Sequence, residues 1–282
     1  MTDKLLATYG LKWDPFSPDV PVEALFASSE LSHFLSRVKG LLRDGGFALI
    51  SGEPGSGKSV ALRFLAHHLS TLPDVLVGVI SRPQSALCDF YRELGDLFGV
   101  PLVPHNRWGG FKALRHKWLS HLETALHRPV LLVDEAQEMH PAVLAEIRLL
   151  SSTHFDSRSI LTTVLCGDAR LTQQFHHQDL LPLASRIRVR LLLDPLSPHK
   201  LLDLLRHALE AAGNSSLMTP ALMTTLAEHA NGNPRLLCHL ASDMLCHGLD
   251  LNLPQLDEKH YLDVFAPQHK PRARAHASGR SS

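Results

Sequence analysis

Residues 30–42 carry their apolar side chains at Leu31, Phe34, Leu35, Val38, Leu41 and Leu42, the i, i+3, i+4 spacing of an amphipathic helix, and Gly45-Gly46 stops it. A different pattern follows. Residues 47–50, 75–80, 129–133, 160–166 and 187–193 are short apolar runs of the kind that fill a sheet buried on both faces. Between them, helical spacing covers 58–69, 86–98, 108–126 and 141–150. Strands alternating with helices predict an α/β fold, a parallel five-stranded sheet with helices on both faces.

After Asp194-Pro195 only helices are predicted, over 197–212, 219–230, 234–248 and 257–265. Gly213-Asn214 ends the first, Thr219-Pro220 opens the second with a cap and an N1 proline, and Gly232-Asn233-Pro234 separates the second from the third. The chain thus divides into an N-terminal arm (1–30), an α/β domain (31–195), a small all-helical domain (196–266) and a tail (267–282). The arm holds Pro15, Pro18 and Pro21 and reads as pinned, irregular chain.

Composition narrows the function classes. With 44% hydrophobic and 20% charged residues over 282 positions, the chain is an ordinary globular one. Its 28 basic and 28 acidic residues give no global excess that would announce a nucleic-acid binder. The tail holds Lys270, Arg272, Arg274 and Arg280 without an acid, which leaves residues 1–266 at about −4 and makes disorder the expectation for the tail. No apolar run approaches the roughly 20 residues of a membrane span, and the opening residues lack a signal-like core, so a cytoplasmic protein is expected. Cys88, Cys166, Cys238 and Cys246 form no CxxC pair.

The chemistry is concentrated in a few segments. Gly52-Glu53-Pro54-Gly55-Ser56-Gly57-Lys58-Ser59 fits G-x-x-x-x-G-K-[ST] and lies between a strand and a helix that continues at Val60. Glycines there let main-chain N–H groups surround phosphates, Lys58 reaches the terminal phosphates, and Ser59 offers a hydroxyl to Mg²⁺. Asp134 and Glu135 end a buried strand; on a strand neighbouring the loop, Asp134 would hold the metal and Glu135 would act as general base. Arg186, Arg188 and Arg190 alternate along a strand, and Arg186 (with Arg188 as rival) would stabilise phosphate charge on a neighbouring subunit. Arg235, after Gly232-Asn-Pro, would fold back onto the nucleotide. Asp168 is either a phosphate-side polar group or a turn aspartate. Lys112, Arg115, His116 and Lys117 around Trp108, Phe111 and Trp118 read as a solvated helix face.

In this order the motifs resemble the AAA+ ATPases over nearly the whole chain. Tyr9-Gly-Leu-Lys-Trp-Asp-Pro-Phe16-Ser, Asp134-Glu-Ala-Gln137 and Ser185-Arg-Ile are similar to the ExeA (general secretion pathway A) group, with transposition ATPases of the TniB, TnsC and MuB kind as relatives. The resemblance implies ATP and Mg²⁺ as cofactors, Arg186 as the finger, Arg235 as sensor 2, and Pro15-Phe16 closing the nucleotide pocket. It further implies a homo-oligomer, ring or filament, that hydrolyses ATP, binds duplex DNA non-specifically and recruits or regulates a transposase. A secretion-assembly ATPase with a protein partner is the alternative. The chain stops after the helical domain and tail, without the membrane helix and peptidoglycan-binding region of the secretion members, which favours the transposition reading.

Overall fold

The computed structural model describes residues 2–83, 86–102, 106–125, 128–154 and 157–265. The tail and Leu126, the predicted end of one helix, lie outside them. The chain opens with helix α1 (Thr2–Tyr9) and, after the proline-rich stretch, α2 (Ser29–Leu41). Strand β1 (Gly46–Gly52) leads into α3 (Lys58–Ser70), and β2 (Val75–Ile80) into α4 (Leu87–Phe98) and α5 (Arg107–Ser120). Then come β3 (Arg128–Val133), α6 (Pro141–Ser151), the two-residue strands β4 (Ser152–Thr153) and β5 (Arg158–Ser159), and β6 (Thr162–Gly167). Short helices α7 (Ala169–Gln174) and α8 (Leu181–Ala184) precede β7 (Ile187–Leu193). Helices α9 (Pro198–Ala212), α10 (Pro220–His229), α11 (Pro234–Asp250) and α12 (Glu258–Phe265) complete the chain's described part.

The five long strands pair in parallel in the order β2-β3-β6-β1-β7. Successive side chains of a strand point to opposite faces. Phe47 and Leu49 therefore pack with the buried residues of α4, α5 and α6, whereas Ala48 and Ile50 pack with those of α2 and α3. Strand β7 lies at the edge, and its alternation of buried and exposed residues leaves Arg188 and Arg190 outside. The fold is the predicted α/β class with a helical C-terminal region.

That region has its own core of Leu201, Leu205, Leu209, Leu222, Leu226 and Leu245, and the N-terminal arm contributes Leu5, Tyr9, Leu11 and Phe16 to it. The main chain ties the two together through Lys12 N–H to the Ala212 carbonyl at 2.8 Å and the Asn214 side-chain amide to the Tyr9 carbonyl at 2.8 Å.

Several expectations need correction. Residues 2–9, expected to be irregular, are helical: the prolines begin only at Pro15, and Leu5 and Tyr9, one turn apart, dock on the helical domain. The helix predicted over 108–126 is regular to Ser120 and widens into a π-type turn over His121–Ala125. The β4–β5 ribbon was not expected. Most consequentially, the strand that delivers Asp134 is not the neighbour of β1, because β6 lies between them. Among the described residues, no helix is long and apolar enough to cross a membrane.

Candidate functional site

Strand order places the site. The chain leaves β1 for β2, returns through β3 and β6, and crosses to β7, so a crevice opens beyond the carboxyl ends of β1, β6 and β3.

On the β1 side, residues 53–57 turn the chain into α3. Gly55 and Gly57 sit at φ +85° and +97°, where a β-carbon is strained. No side chain caps α3, so its first N–H groups are left to the loop's mouth. Lys58 is 7% exposed and donates from Nζ to the Gly52 and Glu53 carbonyls at 3.0 and 3.1 Å. Ser56 Oγ is buried and has no hydrogen-bond partner among the described residues, while Ser59 and Val60 are exposed on the first turn of α3. Uncapped N–H groups, a cationic amine and a spare hydroxyl fit a polyphosphate.

On the far side, Asp134 N–H extends the β2–β3 ladder to the Ile80 carbonyl at 2.9 Å, and Asp134 Oδ1 accepts from Glu135 N–H at 2.9 Å. Cys166 lies between the two halves. Burial first, and then the Asp134 carboxylate, push its thiol pKa up, while Lys58 acts in the opposite sense. Glu135 adopts φ +49°, and Gln137, in the turn Ala136–Glu138, donates from Nε2 to Glu135 Oε2. Among the described residues no three His, Cys, Asp or Glu side chains gather as a metal cage. One hydroxyl and one carboxylate are nonetheless what Mg²⁺ requires of a protein when phosphates supply further oxygens, so Ser59 and Asp134 fit that ion.

Asp168 caps α7: its Oδ1 accepts from Arg170 N–H at 2.9 Å, and its carboxylate takes the Arg170 guanidinium at 2.8 Å. Those Arg170 contacts, with Lys58 adding to them, hold its pKa below the usual carboxylate value. It is thus a turn aspartate that still feels the loop lysine. Arg170 also pairs with Glu138 at 2.8 Å.

Arg235 is brought to the loop. Its N–H donates to the Gly55 carbonyl at 3.2 Å, and the neighbouring Asn233 donates from Nδ2 to the Pro54 carbonyl at 3.2 Å. Asn233 Oδ1 meanwhile accepts from Arg235 N–H and Leu236 N–H at 3.0 and 3.2 Å, capping α11. Pro15 and Phe16 are buried where the arm leaves the helical domain, and Arg63 of α3 then holds the arm by the Pro18 and Val20 carbonyls at 2.6 and 2.7 Å.

Arg186 is not brought to the loop. It precedes β7, whose first residue pairs with Phe47 at the start of β1, and its guanidinium donates to the Pro182 carbonyl. The seven residues of β1 separate it from the phosphate loop by roughly 20 Å. Sequence reasoning gave no role to Gln137, Asn233 or Arg63. Gln137 stood in the Asp134-Glu-Ala-Gln137 segment without a role of its own, and Asn233 carried the signal of an asparagine before an N1 proline, which marks a cap without disclosing the second bond.

The AAA domain family model matches residues 42–175, which take in β1, the loop, both acids and Asp168. General secretion pathway protein A of Aeromonas hydrophila is 33% identical over 234 residues, covering 81% of this chain and 42% of that protein. The chain therefore spans about two fifths of that relative's length. Among solved structures, the Aeropyrum pernix ORC2 protein, in ADPNP-ADP complexes, has a TM-score of 0.69 at 14% identity, over 89% of this chain and 70% of that one. The Aeropyrum pernix ORC1 protein in complex with DNA has a TM-score of 0.67 at 18% identity, over 89% of this chain and 67% of that one. Those two likenesses are of fold. With the phosphate loop, the paired acids on a strand one removed and the helical domain in a single chain, this protein carries an AAA domain over residues 42–175 and is similar to General secretion pathway protein A over most of its own length.

Proposed function

We propose that the chain is a Mg²⁺-dependent ATPase that binds ATP between its α/β and helical domains, hydrolyses it to ADP and phosphate, and assembles with ATP into a ring or filament. The observation that carries this reading is the seating of α11 on the phosphate loop through Asn233 and Arg235, which makes the helical domain respond to what the loop holds.

Lys58 and the uncapped N–H groups of α3 hold and orient the phosphates. Ser59 and Asp134 would hold the metal by the hydroxyl and the carboxylate, and the ion would supply neutralisation of phosphate charge. Glu135 accepts the proton of the attacking water. Arg235 reaches the same phosphates from the helical domain. Arg186, too far to serve its own loop, completes the site of a neighbouring subunit, which links hydrolysis to assembly.

The partner we propose is duplex DNA, bound without sequence preference, together with a transposase that the assembly recruits or regulates. Its support is the resemblance to transposition ATPases and a fold neighbour solved with DNA. The 33% identity to General secretion pathway protein A favours a second reading, a secretion-assembly ATPase acting on a protein.

Hydrolysis and ATP-dependent binding to a random-sequence duplex over a salt series test both. Hydrolysis that needs Mg²⁺ and falls by about 10²–10⁴-fold in Glu135→Gln, with ATP still bound, is expected. Duplex binding that weakens steeply with salt supports the DNA partner. Hydrolysis indifferent to duplex transfers the assignment to a protein partner, and no hydrolysis at all overturns the ATPase reading.

A further inference from the structure

Gln137 has no part in the reaction above, yet it is 5% exposed and its polar atoms are engaged on three sides. Its Oε1 accepts from Asp168 N–H at 3.2 Å, its Nε2 donates to Glu135 Oε2, and its carbonyl accepts from Gln174 Nε2 at 3.0 Å. The direction of the amide is decided by chemistry. A main-chain N–H can only donate, so Asp168 selects the amide oxygen, and the NH₂ is left to face Glu135. The approach is close: a β-carbon on Gly167 would meet Gln137 Oε1 at 2.6 Å.

Glu135 needs such a partner. At φ +49° it has left the strand geometry that aims Asp134, so the ladder no longer sets the direction of its carboxylate. We propose that Gln137 is a positioning residue for Glu135. It holds one carboxylate oxygen, leaves the other for the water, and ties the base to the β6–α7 junction, where Asp168 caps α7 and Arg170 bridges Asp168 and Glu138. The inference rests on Glu135 being the base.

Gln137→Glu and Gln137→Leu test it in the full chain, with kcat, KM for ATP and the pH–rate profile as readouts and Glu135→Gln as control. Gln137→Glu keeps the shape and the acceptor for Asp168 N–H but sets a second carboxylate against Glu135. Both variants are expected to lose about 10- to 100-fold in kcat with KM for ATP unchanged, the range seen for partners that orient a reacting group. Two facing carboxylates resist joint ionisation, so Gln137→Glu moves the acid limb of the profile to higher pH, and Gln137→Leu does not. ATP binding and the melting temperature report folding; should Gln137→Leu unfold, Gln137→Glu decides alone. Full activity in Glu135→Gln overturns the base assignment and this inference with it. Loss in Glu135→Gln beside wild-type kcat and an unmoved acid limb in Gln137→Glu overturns the inference alone.

Discussion

Helices α3 and α11 meet at the same loop, which runs into the first and is hydrogen-bonded by the start of the second, and they are built in opposite ways. Helix α11 starts with a proline, which has no N–H to satisfy, and Asn233 takes the next two donors onto one side-chain oxygen. Its first turn is complete without any ligand, and Arg235 N–H also serves the Gly55 carbonyl. Helix α3 starts after a glycine in left-handed backbone, with no side-chain cap, and the charged residue of its first turn is a lysine. The difference shows what each end is for. Donors at α11 are spent on building the molecule, and donors at α3 carry no side-chain cap, as the proposed binding of an anionic nucleotide there requires.

Four perturbations would break or sharpen that contrast. Lys58→Ala has the largest expected effect, since a charge-assisted contact of about 2–3 kcal/mol is lost from binding. Titration calorimetry should show ATP affinity falling by about 30- to 150-fold, and unchanged affinity would mean that α3 is not the anion end. Gly55→Ala comes next. Its φ of +85° is unfavourable for alanine and the new β-carbon would run into the Asn233 amide, so thermal unfolding should show about 1–3 kcal/mol of destabilisation.

Asn233 separates capping from latching. Asn233→Ala should cost about 1 kcal/mol as a lost cap. Asn233→Asp keeps the acceptor for α11 but loses the donor to the Pro54 carbonyl and adds negative charge beside the loop. It should melt near the wild type and yet bind ATP more weakly; equal melting losses in both variants would show that the bond to Pro54 carries the stability. The smallest effect is at Glu30, whose carboxylate pairs with Lys200 of α9 at 2.5 Å and is pulled down to about 2, mainly by that lysine's hydrogen bond. A depressed carboxylate contributes stability above its unfolded value, near 4.5, and loses it as pH falls toward 2. The pair is about half exposed, so only ~0.5 kcal/mol is expected, as a difference between wild type and Glu30→Gln that closes across this acid window.

The phosphate loop, the two acids and the breaks between the last helices were legible in the sequence because each is a local pattern whose chemistry depends on spacing. Helix α1 was not, since eight residues with Leu5 and Tyr9 as the buried face give a weak period and its docking surface lies about 200 positions away in the chain. Sheet order was also hidden. Any of the apolar runs could have been the neighbour of β1, and the choice is made by long-range pairing such as Ile50 with Cys166. Gln137 and Asn233 escaped for a third reason: an amide carries no charge, and its role depends on which partners tertiary structure sets around it.

The interposed strand β6 has a consequence for charge. Adjacent strands lie about 4.8 Å apart, so β1, which leads into the loop before Lys58, and β3, which ends beside Asp134, are two spacings or about 10 Å apart. On neighbouring strands the amine and the carboxylate would be free to neutralise each other. With Cys166 and Gly167 as spacer, the loop that carries Lys58 and the strand end that carries Asp134 enter the crevice from opposite sides of β6, and the two act in opposite senses on the Cys166 thiol between them.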